Sequence, residues 1–130
     1  MTAATSGPGS GDSRERWADA LLTYTQGIRD DPQEHLQVIF RLDEDDYPQG
    51  SDDMIVVNNI EFTSTCEHHM APIVGVAHLA YIPNLRVVGL SKLARVVEVF
   101  SKRLQTQERL TMQIAKTLMS TLDAKGVAVS

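Results

Sequence analysis

Hydrophobic and polar residues recur along the chain with two different periods, and the changes of period mark out its elements. Trp17, Leu21 and Tyr24 fall at helical spacing, with Ala18 and Leu22 beside them. This stripe predicts a helix that starts near Arg14, is N-capped by Ser13, turns its apolar face to the core and ends at Gly27. Asp31-Pro32 opens a second, short helix, with Pro32 at its first position and Leu36, Ile39 and Phe40 inward. The period then switches. Residues 54–62 read as a strand, and so do residues 73–82. In the second strand Val74, Val76, His78 and Ala80 share one face, and Ile73, Ala77, Leu79 and Tyr81 share the other. Pro83-Asn84 forms its exit. The two strands are neighbours and are expected to pair antiparallel.

Helical spacing returns at Leu93, Val96, Val97, Phe100 and Leu104, after Ser91 as N-cap, and again at Leu110, Ile114, Leu118 and Leu122, ending near Gly126. Val127-Ala128-Val129-Ser130 reads as the opening of another strand. The fold class is α+β: N-terminal helices, an antiparallel two-strand hairpin, two long antiparallel helices and a cut-short third strand. Two strands alone are not stable, so further strands or other subunits complete the sheet.

Composition narrows the class. With 130 residues and 42% hydrophobic content, the chain suits one globular domain. Residues 1–12 are rich in Ser, Gly, Thr and Ala and read as a flexible lead before a domain at 13–130. The net charge of −5 speaks against nucleic-acid binding. The apolar runs are too short for a membrane span, and no signal-peptide pattern opens the chain. One cysteine excludes an internal disulfide framework and suits a reducing compartment, so the expected location is the cytoplasm. Residues 43–53 are acidic and turn-rich. Their spacing does not fit an EF-hand loop, and a solvated link is the better reading.

The chemistry is concentrated in Thr65-Cys66-Glu67-His68-His69-Met70. The single cysteine and two of the four histidines lie here. A thiolate and an imidazole three positions apart, Cys66 and His69, can close on one ion, and Zn²⁺ takes that pair readily. A catalytic zinc normally has three protein ligands, so the third is missing from this stretch. Cys66 alone would read as a small buried hydrophobe. Four reactive side chains in a row have no packing rationale. Ser91, Lys92 and Arg95 sit in the first turn of a helix, where basic residues oppose the dipole. A bound phosphate would explain them; so would incidental surface placement, and spacing does not decide. Gln107 and Glu108 suit a purine edge, or simply a helix start.

These residues, taken together, resemble the GTP cyclohydrolase I family of the tunnelling fold. The resemblance is carried by Phe62-Thr63-Ser64-Thr65-Cys66-Glu67-His68-His69, Ala80-Tyr81-Ile82-Pro83, Val88-Gly89-Leu90-Ser91-Lys92-Leu93-Ala94-Arg95 and the run from Arg103 to Thr111. It covers residues 54–130, and 14–40 more loosely. It implies Zn²⁺ on Cys66, His69 and a downstream cysteine, proton transfer by His68, triphosphate on Ser91, Lys92 and Arg95, and guanine on Gln107 and Glu108. Glu67 belongs to the same motif. The implied reaction converts GTP and water to 7,8-dihydroneopterin triphosphate and formate, the first step of pterin and tetrahydrofolate biosynthesis, in a decameric ring with sites between subunits. Family members continue for two more strands, which bring a His-x-Cys element and a phosphate-binding arginine. This chain carries no second cysteine, so the third zinc ligand is absent from it. The alternative is a non-catalytic homologue that binds GTP or caps a partner subunit.

Overall fold

The computed structural model describes residues 12–42 and 53–130. All of the lead except Asp12, and the acidic link except Asp53, lie outside these residues. Helix α1 (Ser13–Tyr24) is followed by two 3₁₀ turns, Gln26–Arg29 and Glu34–Leu36. Then come strands β1 (Ile39–Arg41), β2 (Ile55–Cys66), β3 (Pro72–Ile82) and β4 (Arg86–Val88). Helix α2 (Leu90–Ser101), β5 (Leu104–Gln105), α3 (Gln107–Leu122) and β6 (Gly126–Val129) complete the order.

The expected antiparallel hairpin is present: β2 pairs with β3 from Ile55↔Tyr81 to Thr65↔Pro72. It is not left as two strands. β5 joins the end of β2 in parallel and β6 joins β3 antiparallel, giving the order β5-β2-β3-β6. β1 and β4 pair as a separate two-stranded ribbon. The C-terminal segment is therefore a paired strand, with His78 and Ser130 exchanging both backbone bonds beyond it.

Side chains alternate along β3 as the sequence suggests. Ala77, Leu79 and Tyr81 are buried, while Val74 and Val76 face outward. On β2 the alternation survives only because of a bulge between Val57 and Ile60. Val57 opposes Leu79 and Ile60 opposes Ala77, so Ile55, Val57, Ile60 and Phe62 all pack against the core. One extra residue, Asn58 or Asn59, absorbs the change of parity. Asn59 takes φ 60°, which asparagine tolerates better than most residues. α2 and α3 cover the inner face with Leu93, Val96, Val97, Phe100, Leu110, Ile114, Leu118 and Leu122, all buried.

Several N-terminal expectations are corrected. Asp12, not Ser13, caps α1, its carboxylate accepting the Arg14 N–H. No residue of α1 is buried, and Trp17 is 65% exposed. Helical periodicity reports an apolar face but not what covers it. The short helix after Pro32 is replaced by a 3₁₀ turn, because Glu34 and Leu36 N–H groups bond three residues back, to Asp31 and Gln33 carbonyls. Leu36 is fully buried there, but Ile39 and Phe40 are in β1, with Phe40 exposed. β-branched and aromatic residues beside an available partner strand favour this outcome. Gly27 does not end α1; it is buried in the first 3₁₀ turn.

At the long helices, Gly89 occupies the N-cap position of α2, so Ser91 lies inside the first turn. α3 ends at Leu122 through left-handed Asp123, and Gly126 starts β6 instead. Among the described residues no helix is long and apolar enough to cross a membrane.

Candidate functional site

β2 runs directly into Cys66, so the reactive residues occupy the tight turn between the two longest strands. The Cys66 N–H donates to the Ala71 carbonyl (2.7 Å), and the Met70 N–H donates to the Cys66 carbonyl (2.8 Å). Met70 closes the turn at φ 55°. This folding brings the Cys66 Sγ to 3.7 Å from His69 Nδ1. A tetrahedral zinc with ordinary Zn–S and Zn–N bonds would set these two atoms about 3.6 Å apart. The pair thus has the spacing the ion needs. The hydrogen bond from His69 chiefly, then the backbone N–H groups of His68 and His69, hold the Cys66 thiol below its ordinary pKa. That favours the thiolate, the form that ligates metal. Among the described residues no third His, Cys, Asp or Glu joins them.

His68 is two-thirds exposed and packs edge-on to His69, ring centroids 6.3 Å apart. Its Nε2 lies 3.6 Å from Glu67 Oε1. The other oxygen of Glu67 pairs with the Arg109 guanidinium, which holds the carboxyl below its usual range. Sequence reasoning missed Arg109. The signal was available: a basic residue in the first turn of a helix opposes the dipole and calls for a compensating partner.

β5 links the turn to α3. Cys66 registers against Gln105, and the Glu67 N–H donates to the Gln105 carbonyl (3.0 Å). Gln105 is buried and anchored, its Nε2 donating to the Phe100 carbonyl (2.9 Å) and to Gln113 Oε1 (2.7 Å). Thr106 then caps α3 by accepting the Arg109 N–H (3.3 Å). Gln107 and Glu108 follow at once, exposed, on the rim of a shallow hollow of about 460 Å³ with Thr111 and Met112.

The remaining candidates are not brought into that hollow. Ser91 and Arg95 line a larger groove of about 860 Å³ between α2 and the outer part of the β2–β3 hairpin, with Glu98 and Lys102. Arg95 is paired with Glu98 there. Lys92 is half-buried, and its backbone N–H closes the first turn on the Gly89 carbonyl. Within one chain the turn at Cys66 is joined through Gln105 to the start of α3, and the anion candidates line a different surface.

Comparison with known proteins places the chain in a family. The family model described as GTP cyclohydrolase I matches residues 5–130. The chain is 60% identical over 119 residues to GTP cyclohydrolase 1 of Pelagibacter ubique, covering 92% of this chain and 56% of that protein. It is 46% identical over 121 residues to that of Clostridium kluyveri, covering 93% and 62%. To that of Chlorobium chlorochromatii it is 50% identical over 115 residues, covering 88% and 49%. The chain spans about half the length of the curated relatives it matches. With a family match over nearly its whole length and relatives 46–60% identical across most of it, the chain belongs to the GTP cyclohydrolase I family.

Proposed function

We propose that the protein acts as a GTP cyclohydrolase of type I, taking GTP and water to 7,8-dihydroneopterin triphosphate and formate. The observation that supports this most is the register Cys66↔Gln105, which sets the thiol–imidazole pair one short strand away from the helix start bearing Gln107 and Glu108. A purine held there would lie next to the metal pair.

In this reading Cys66 and His69 hold Zn²⁺, with the remaining positions left to water and to a donor from outside the described residues. Bound zinc would supply water acidified to near neutral pH for attack at the base carbon C8. The chain's own residues do the rest. The Glu108 carboxylate accepts from purine N–H groups, and the Gln107 amide both donates and accepts. Ser91, Lys92 and Arg95 hold the triphosphate at the start of α2, where unpaired backbone N–H groups add to the anion site. Binding energy from the phosphates, remote from the reacting carbon, fixes the ring. His68 carries protons through its Nε2, as an imidazole can near neutral pH.

The purine and anion candidates line separate hollows, so in this reading a complete site is assembled between copies in a homo-oligomeric ring. The outward valines of the sheet favour burial against a partner: Val74 is 77% exposed and Val56 and Val76 are each 46% exposed. Its place is the cytoplasm, where a lone thiol stays reduced.

The test is incubation of the zinc-loaded protein with GTP and chromatography of the products. We expect the dihydroneopterin triphosphate, with His68→Ala slowing its formation by about 100-fold or more while leaving GTP affinity intact. GTP returned unchanged, or a rate indifferent to His68→Ala, would overturn the reading.

A further inference from the structure

Arg109 is at the third position of α3, where the helix N-terminus repels a cation. Its guanidinium reaches out of the helix to Glu67, at the start of the metal turn. Glu67 divides its carboxylate between two partners, Oε2 toward Arg109 and Oε1 toward His68 Nε2. Its own N–H is fixed on the Gln105 carbonyl. The side chains Arg109, Glu67 and His68 therefore form a row from the purine-facing helix start to the turn. Cys66 and His69, in contact with each other, bracket Glu67 and His68 in the sequence of the turn.

We propose that Arg109 is a positioning residue: acting through Glu67, it sets His68 and the Cys66–His69 pair in place against the start of α3. This rests on the reading of Cys66 and His69 as metal ligands. The physical reason is that the turn is exposed and short. Two backbone bonds close it as a hairpin, but they do not fix how it leans toward α3. The β2–β5 pairing and the Glu67–Gln105 backbone bond hold the base of the turn on β5, and the ion pair with Arg109 ties a side chain of the turn to α3. Arg109 and Glu67 act on the turn that carries the ligands; losing even a partner bonded directly to a ligand typically weakens metal affinity by about 10–100-fold, so the lower end of that range is expected here.

The test is a Co²⁺ titration of the full chain, followed by the thiolate-to-cobalt absorption band and run as a cycle of Arg109→Met, Glu67→Gln and the double variant. Each single substitution is expected to weaken Co²⁺ affinity about tenfold, with little further loss in the double variant. Arg109→Lys should recover part of the loss, and the swap Glu67→Arg with Arg109→Glu should recover more than either single reversal. Circular dichroism checks that the variants are folded. Unchanged affinity in both singles, or a double-variant loss equal to the product of the two, would overturn the proposal while leaving the metal reading intact. Arg109→Met that weakens GTP binding but leaves Co²⁺ affinity unchanged would also overturn it, making Arg109 a nucleotide contact. A parent protein with no thiolate–cobalt band would overturn the metal reading, and the proposal with it.

Discussion

The Cys66 sulfur sits 3.7 Å from the Nδ1 of His69, across a turn that both residues frame. The contact has a consequence for the metal-free protein. His69 is the largest cause of the lowered Cys66 pKa. A lowered thiol pKa means more thiolate at neutral pH, and reactivity that persists to lower pH than in an ordinary cysteine. Iodoacetamide alkylation across pH should therefore show a midpoint below that of a free thiol. His69→Ala should move the midpoint upward, and added zinc should suppress the reaction. A midpoint that ignores His69→Ala would show that the contact does not matter in solution.

The bulge in β2 gives a sharp prediction about the core. Asn59 stands at φ 60°, and the Asn59 N–H donates to His78 Nδ1 (3.3 Å). A β-branched side chain resists that backbone by about 1–2 kcal/mol. Asn59→Val should lower stability by roughly this amount, and Asn59→Gly should cost little. Deleting Asn59 should be far worse, because it turns Ile60 and Phe62 to the solvent face. Chemical denaturation of the three variants measures the order. A deletion variant as stable as Asn59→Gly would contradict the bulge's role.

How much of this was legible in the sequence differs by element. The β3 face with Ala77, Leu79 and Tyr81 was plain, because strict alternation over a strand has one interpretation. The β2 bulge was not read, because residues 54–62 pass as one strand; the parity change from Ile55 and Val57 to Ile60 and Phe62 is its trace in the sequence. The packing of α1 was not, since Trp17 and Tyr24 give a helical stripe whether or not anything covers it. Ile39 and Phe40 went wrong for another reason: a short apolar run fits either period, and the distant partner Arg86–Val88 decided it. In the site, the Cys66–His69 pair followed from spacing within one turn. The Glu67–Arg109 pair did not, because it depends on the two-residue strand β5 that brings α3 alongside.

Gly27 ties the N-terminal segment to the main body. Its N–H donates to the Lys102 carbonyl (2.9 Å), and its carbonyl accepts from Arg103 Nε (3.1 Å). A Cβ there would overlap the Val99 carbonyl oxygen, which is backbone and cannot rotate away. Gly27→Ala should destabilise by about 1–3 kcal/mol, as overpacking does. Calorimetric melting measures it. A melting temperature equal to that of the parent would show that this segment does not pack on the end of α2.

Arg95 is held by Glu98, so it is only partly available to an anion. Releasing it should help phosphate binding. Glu98→Gln is expected to tighten GTP binding several-fold, whereas Arg95→Met should weaken it about tenfold or more, the loss of one charge-assisted contact. Titration calorimetry at low salt reads both. Opposite signs support a triphosphate site on α2; two null results would remove Arg95 from it.

The whole account depends on a metal held by Cys66 and His69 acting on the base of GTP. The most direct measurement is the release of labelled formate from GTP carrying its label at C8, made together with zinc analysis of the same samples. The account predicts one formate for each dihydroneopterin triphosphate formed, and the loss of both formate and bound zinc in Cys66→Ala. Formate release undiminished in Cys66→Ala, or none at all from the zinc-loaded parent, would contradict it.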